Sequence, residues 1–63
     1  MIIETSCNRF YRVTECADAD MAHLWHGIEL KRVKGEWIEK TTRAGRKNFT
    51  YVRKAATRIV EAV

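Results

Sequence analysis

Residues 23–33 read His-Leu-Trp-His-Gly-Ile-Glu-Leu-Lys-Arg-Val, and this run constrains the fold more than any other part of the chain. Leu24, His26, Ile28 and Leu30 recur at every second position, with Trp25, Gly27, Glu29 and Lys31 between them. A helix returns to the same side after 3.6 residues and a strand after two, so this alternation specifies a long strand with two unlike faces. Val33-Lys34-Gly35 follows, then Glu36-Trp37-Ile38-Glu39-Lys40-Thr41. Glycine tolerates the left-handed backbone of a bulged three-residue loop, so 23–33 and 36–41 are expected to form an antiparallel hairpin. The expected register sets Arg32 against Glu36, Lys31 against Trp37 and Leu30 against Ile38. Charge, cation–π contact and apolar contact favour these three pairs. A slip of one residue would set Leu30 opposite Glu39, a poorer match.

Residues 9–16 (RFYRVTEC) are rich in aromatic and β-branched types and predict a second strand. Residues 2–6 predict a short partner strand, joined through a two-residue turn at Cys7-Asn8 in which Asn8 takes the left-handed backbone. The small acidic stretch 17–20 (ADAD) reads as a loop. In the last third the period changes. Phe49, Val52, Ala56, Ile59, Val60 and Val63 recur at steps of three and four, which predicts an amphipathic helix over about 47–62 with Asn48 as N-cap.

The expected fold is therefore α+β: an antiparallel three- or four-stranded β-sheet, a meander, packed on one C-terminal α-helix in a single domain spanning 1–63. The helix stripe would cover Leu24, Ile28, Leu30 and Ile38 and leave the other sheet face open. A three-stranded sheet followed by one helix is similar in outline to plant AP2-type domains and to the arm-binding domains of tyrosine integrases. The likeness is one of layout, without shared sequence motifs, and it implies a sheet that enters the DNA major groove.

With 63 residues, 46% apolar and 32% charged, and no proline, the chain is outside the collagen-like, proline-rich and strongly disordered classes. No apolar run approaches the ~18 residues of a membrane span, and Met1-Ile2-Ile3-Glu4 is no secretory leader, so a cytoplasmic location is expected and no membrane partner. A chain this short buries only ~60% of its unfolded surface, and dimerisation would add to its core. Cys7 and Cys16 are expected to be reduced thiols. Nine extended steps between them span about 30 Å, far beyond the ~7 Å between α-carbons that a disulfide allows.

Charge is unevenly placed along the chain. Residues 1–30 hold Arg9 and Arg12 against Glu4, Glu15, Asp18, Asp20 and Glu29, a balance of −3. Residues 31–63 hold Lys31, Arg32, Lys34, Lys40, Arg43, Arg46, Lys47, Arg53, Lys54 and Arg58 against Glu36, Glu39 and Glu61, a balance of +7. Arg43, Arg46 and Lys47 fall at the expected helix start, where cations oppose the macrodipole and a phosphate would be welcome. The alternative is an ordinary solvated basic face. Trp25 and Trp37 are expected together on the open sheet face beside Lys31, joined by Phe10 and Arg12 if Tyr11 and Val13 point inward. Exposed indoles suit base stacking or a protein interface.

The function expected from these features is non-enzymatic nucleic-acid binding, DNA before RNA. Lys31, Arg32, Lys34, Trp37, Arg43, Arg46, Lys47, Arg53 and Lys54 would form the contact surface. The alternative is a homodimeric or regulatory protein-interaction module using Trp25 and Trp37, with the basic half meeting an acidic partner. No catalytic residue or cofactor is expected. The C-x8-C-x6-H-x2-H spacing of Cys7, Cys16, His23 and His26 is unlike the close pairs of structural zinc sites. His26 reads as a core histidine. A Cys16–His23 nucleophile pair lacks a third orienting group.

Overall fold

The structure, a computed structural model, describes residues 1–62. It contains six strands: β1 Ile2–Thr5, β2 Phe10–Glu15, β3 Leu24–Val33, β4 Glu36–Glu39, β5 Phe49–Arg53 and β6 Thr57–Glu61. All pair antiparallel in the order β4-β3-β2-β1-β6, and β5 also pairs with β3. Ala19–Met21 and Lys54–Ala56 form single 3-10 turns. No helix among the described residues is long and apolar enough to cross a membrane.

The expected C-terminal helix is absent, so the fold is an antiparallel sheet and not α+β. The likeness in outline to helix-bearing DNA-binding domains lapses with it. Phe-Thr-Tyr-Val-Arg at 49–53 and Thr-Arg-Ile-Val-Glu at 57–61 are two β-prone stretches of period two. A one-turn break at Lys54–Ala56 shifts the second relative to the first, and the combined spacing imitates a helical stripe. Unpaired strand edges decide the outcome. β5 satisfies the β3 edge along 24–28, and β6 satisfies the free edge of β1. Val63 of the expected stripe lies outside the described residues. Asn48 caps no helix, and its amide instead donates to Glu29 at 2.7 Å.

Both hairpin loops differ from expectation, and their lengths are interchanged. Between β3 and β4 the loop is two residues, Lys34-Gly35, with φ of +51° and +83°. Two left-handed residues make a primed turn whose twist matches the strands. The register consequently slips by one: Leu30 faces Glu39, Lys31 faces Ile38, Arg32 faces Trp37 and Val33 faces Glu36. The Leu30–Glu39 pairing is tolerable because Arg12 Nη1 lies 2.9 Å and Lys47 Nζ 3.3 Å from the Glu39 carboxylate. Between β1 and β2 the turn spans three residues, 6–8. Asn8 at φ +61° forms the bulge, and the Thr5 amide donates to the Arg9 carbonyl at 2.9 Å.

Residues directly opposite in a ladder share a face. The first face carries Ile3, Tyr11, Val13 and Val52, the main core cluster, with Met1 and Trp25 packed against it. Ile3 is completely buried. Gly27 leaves room for this cluster: a Cβ there would meet Val52 Cγ2 at 2.9 Å and Tyr11 Cβ at 3.3 Å. The second face carries Ile2 and Leu30, also buried, beside Phe10 and Trp37. The sheet is strongly curled. Four α-carbon steps from Arg53 to Thr57 reach at most about 14 Å, whereas a flat sheet would separate β5 from β6 by about 19 Å. Curling supplies what a helix would have supplied, because opposite parts of one sheet cover each other.

Candidate nucleic-acid interface

Residues 40–48 leave the outer edge of β3 and return to it. The Lys40 amide donates to the Glu29 carbonyl at 2.9 Å, the Glu29 amide to Asn48 at 3.1 Å, and the Asn48 amide to Lys40 at 3.0 Å. The ladder therefore resumes as β5 after a detour. Within the detour Thr41 pairs with Lys47. The Thr42 amide donates to Arg46 at 2.7 Å and the Gly45 amide to Thr42 at 2.9 Å. Gly45 has φ +79°, which makes a three-residue bulged turn and a small projecting hairpin.

Two carboxylates fix the root of this hairpin. Glu29, 8% exposed, accepts from Lys40 Nζ at 3.1 Å and from Asn48 Nδ2 at 2.7 Å. Glu39 holds Lys47 and Arg12. Arg43 and Arg46, nearer the tip, are exposed and have no carboxylate partner among the described residues. They lie on a β-hairpin rather than at a helix N-terminus, so backbone amides of a helix cannot assist them.

The strand that follows brings together residues the sequence reading kept apart. Ile28 faces Phe49, His26 faces Tyr51 and Leu24 faces Arg53, which sets Phe49, Tyr51, Arg53 and His26 on the second sheet face. The His26 ring centroid lies 5.4 Å from that of Phe49 and 5.1 Å from that of Tyr51. Phe49 is 59% and Tyr51 56% exposed. His26 is half-buried among these rings rather than enclosed in a core. Alternation in Phe-Thr-Tyr-Val-Arg was the available signal for this strip, and the apparent helical stripe masked it.

The tryptophans do not share a face. Trp37 is on the second face, half-buried, with the Arg32 guanidinium carbon 4.4 Å from its ring centroid and Phe10 at 5.0 Å. Its indole Nε1 donates to the Glu61 carboxylate. Trp25 is on the first face against the core, and its Nε1 donates to Glu15 at 3.4 Å. Lys54 Nζ lies 5.7 Å from the Trp25 ring centroid and 2.8 Å from Glu15. The hydrogen bond from Lys54 holds the Glu15 carboxyl below its ordinary pKa. The expected joint Trp25/Trp37 surface therefore does not exist. Phe10 and Arg12 do share a face with Trp37, while Tyr11 and Val13 point into the main core.

The remaining expected contact residues divide between places. Lys34 occupies the β3–β4 turn, and Lys31 lines an open depression of about 380 Å³ on the first face with Asn8, Arg9, Glu29 and Lys40. Cys7 and Cys16 are free thiols. No group of three or more His, Cys, Asp or Glu side chains among the described residues could hold a metal ion. No family model, curated protein or solved structure matches the chain significantly.

Proposed function

We propose that this protein is a small binding module for nucleic acid, acting without catalysis, and that its contact surface is the 41–47 hairpin together with β5. One observation carries the reading. Arg43 and Arg46, with no carboxylate partner among the described residues, adjoin a strand whose Phe49 and Tyr51 rings are uncovered and which ends at exposed Arg53. Cations without internal partners attract a polyanion, and release of its condensed counterions drives association. Arg32, Lys47 and Lys54 belong to the surface less strongly, since Trp37, Glu39 and Glu15 already engage them. Lys31 and Lys34 lie apart from the strip and would add long-range attraction only. A cytoplasmic location goes with this reading.

The test is equilibrium binding of duplex and single-stranded oligonucleotides by the full chain across a salt series. The logarithm of affinity should fall linearly with the logarithm of salt concentration. Absence of binding at low salt, or affinity indifferent to salt, overturns the proposal.

A second reading, a homodimeric or protein-interaction module, draws on the same strand and no longer on the tryptophans. Among the described residues β5 pairs with β3 alone, and an edge strand with uncovered rings can add a strand from a partner. Light scattering over a concentration series separates the two. A dimer that Tyr51→Ala dissolves, without any nucleic-acid binding, favours this one.

A further inference from the structure

Resting on the nucleic-acid reading above, we infer that the ligand is an unpaired single strand whose bases stack on Phe49 and Tyr51, with the phosphodiester backbone tracked by Arg46 and Arg53. The two rings are on one face of β5, two residues apart with Thr50 between them on the other face. Their spacing along the strand is therefore about 6.6 Å. Bases stacked in a nucleic-acid helix rise about 3.4 Å per nucleotide. Neighbouring bases can each meet one of these rings only after they have come apart from each other. A duplex keeps its base faces stacked internally and offers only base edges in its grooves. Flat, uncovered rings on a sheet have nothing to read there, whereas every unpaired base presents a π-face.

The surroundings agree with this class of ligand. His26, opposite Tyr51 on β3, packs within 5.4 Å of both rings at 56–75° to their planes and so holds the two as one cluster. Arg53 follows on the same face two residues after Tyr51, and Lys47, 3.3 Å from Glu39, precedes Phe49 by two, with the exposed Arg43 and Arg46 beyond it on the hairpin. Positive charge thus brackets the aromatic strip at both ends, as a strand running along β5 requires. Glu39, the carboxylate at the hairpin root, is occupied by Arg12 and Lys47, so it opposes a polyanion weakly. The same argument makes sequence preference slight, because stacking is tolerant of base identity.

Fluorescence anisotropy with labelled deoxyuridine and uridine decamers, against a self-complementary hairpin duplex of similar charge, tests the inference on the full chain at low salt. The single strands should bind more tightly than the duplex, and the decamer with the higher affinity identifies the preferred sugar. Phe49→Ala and Tyr51→Ala should each weaken single-strand binding by about 5- to 150-fold, the range set by one base–aromatic stack, with duplex binding unchanged. Tyr51→Phe should restore it. Both rings are exposed, and thermal melts of the variants check that they stay folded. If duplex binds as well as single strand and the alanine variants change nothing, while Arg43→Ala with Arg46→Ala weakens both, the inference fails and the nucleic-acid reading stands. If neither oligonucleotide binds at low salt, both fall together.

Discussion

β4 and β5 run along the same edge of β3 and place aromatic rings on the same sheet face, yet one set is covered and the other is not. Trp37 of β4 has Phe10 on one side, the Arg32 guanidinium over its ring and Glu61 at its indole nitrogen. Phe49 and Tyr51 of β5 touch His26 and otherwise face outward. Residue type does not separate them. Curl does: it carries β6 and Glu61 to Trp37 and buries Val52 of β5 on the first face, but leaves the second-face rings of β5 uncovered. An aromatic side chain in a small sheet is thus a structural element where the sheet closes on it, and an available surface where it does not.

The sharpest way to break this contrast is to strip each region in turn. The closed first face sets the upper limit: Ile3→Ala should cost about 2–5 kcal/mol, most of what so small a core supplies, and urea denaturation followed by circular dichroism should show a chain largely unfolded. The contrast itself is tested by paired substitutions on the second face. Trp37→Ala should cost about 2–3 kcal/mol through lost burial and ring contacts, and Tyr51→Ala no more than about 0.5 kcal/mol. Equal losses in denaturation midpoint would show that β5 is also covered. A smaller loss, about 1–2 kcal/mol, is expected for Gly27→Ala, because the new methyl presses on Val52 and Tyr11 from within a filled core. Unchanged stability there would mean the first face is loosely packed.

The smallest effect concerns pH at the exposed Glu15–Lys54 pair. The folded pKa of Glu15 is lowered chiefly by the Lys54 hydrogen bond. Its contribution to stability is therefore present above the unfolded carboxyl pKa and fades as pH falls through the lower folded value. Carboxyl NMR titration should show the Glu15 midpoint rising to the ordinary range in Lys54→Met. Solvent screening keeps the accompanying change in stability small.

Much of the strand arrangement is legible from period two. Phe10–Glu15, Leu24–Val33 and Glu36–Glu39 form where alternation and the Gly35 turn indicate, and residues 2–5 pair within the chain as an antiparallel strand. The register of the second hairpin was less accessible. Pairwise charge favours Arg32 opposite Glu36, but turn geometry at Lys34-Gly35 prevails, and distant Arg12 and Lys47 make Glu39 acceptable opposite Leu30. The candidate site was half legible. Arg43, Arg46, Lys47 and Arg53 stand out by charge, whereas Phe49, Tyr51 and His26 were hidden by a false helical period. A three-residue turn would put Trp25 and Trp37 on one face, and the observed two-residue turn at Lys34-Gly35 reverses the parity of β4 and separates them.

By itself the sequence determined local matters: where β-prone alternation runs, where left-handed turn residues break it, and that positive charge collects after residue 30. These depend on near neighbours, so composition and spacing suffice to read them. Only the tertiary structure decided what residues 49–61 become, which rings are covered, and which cations keep carboxylate partners. Each of those outcomes turns on open ladder edges and sheet curl that join residues as far apart as Arg58 and Glu4, and no local period encodes such distant pairings.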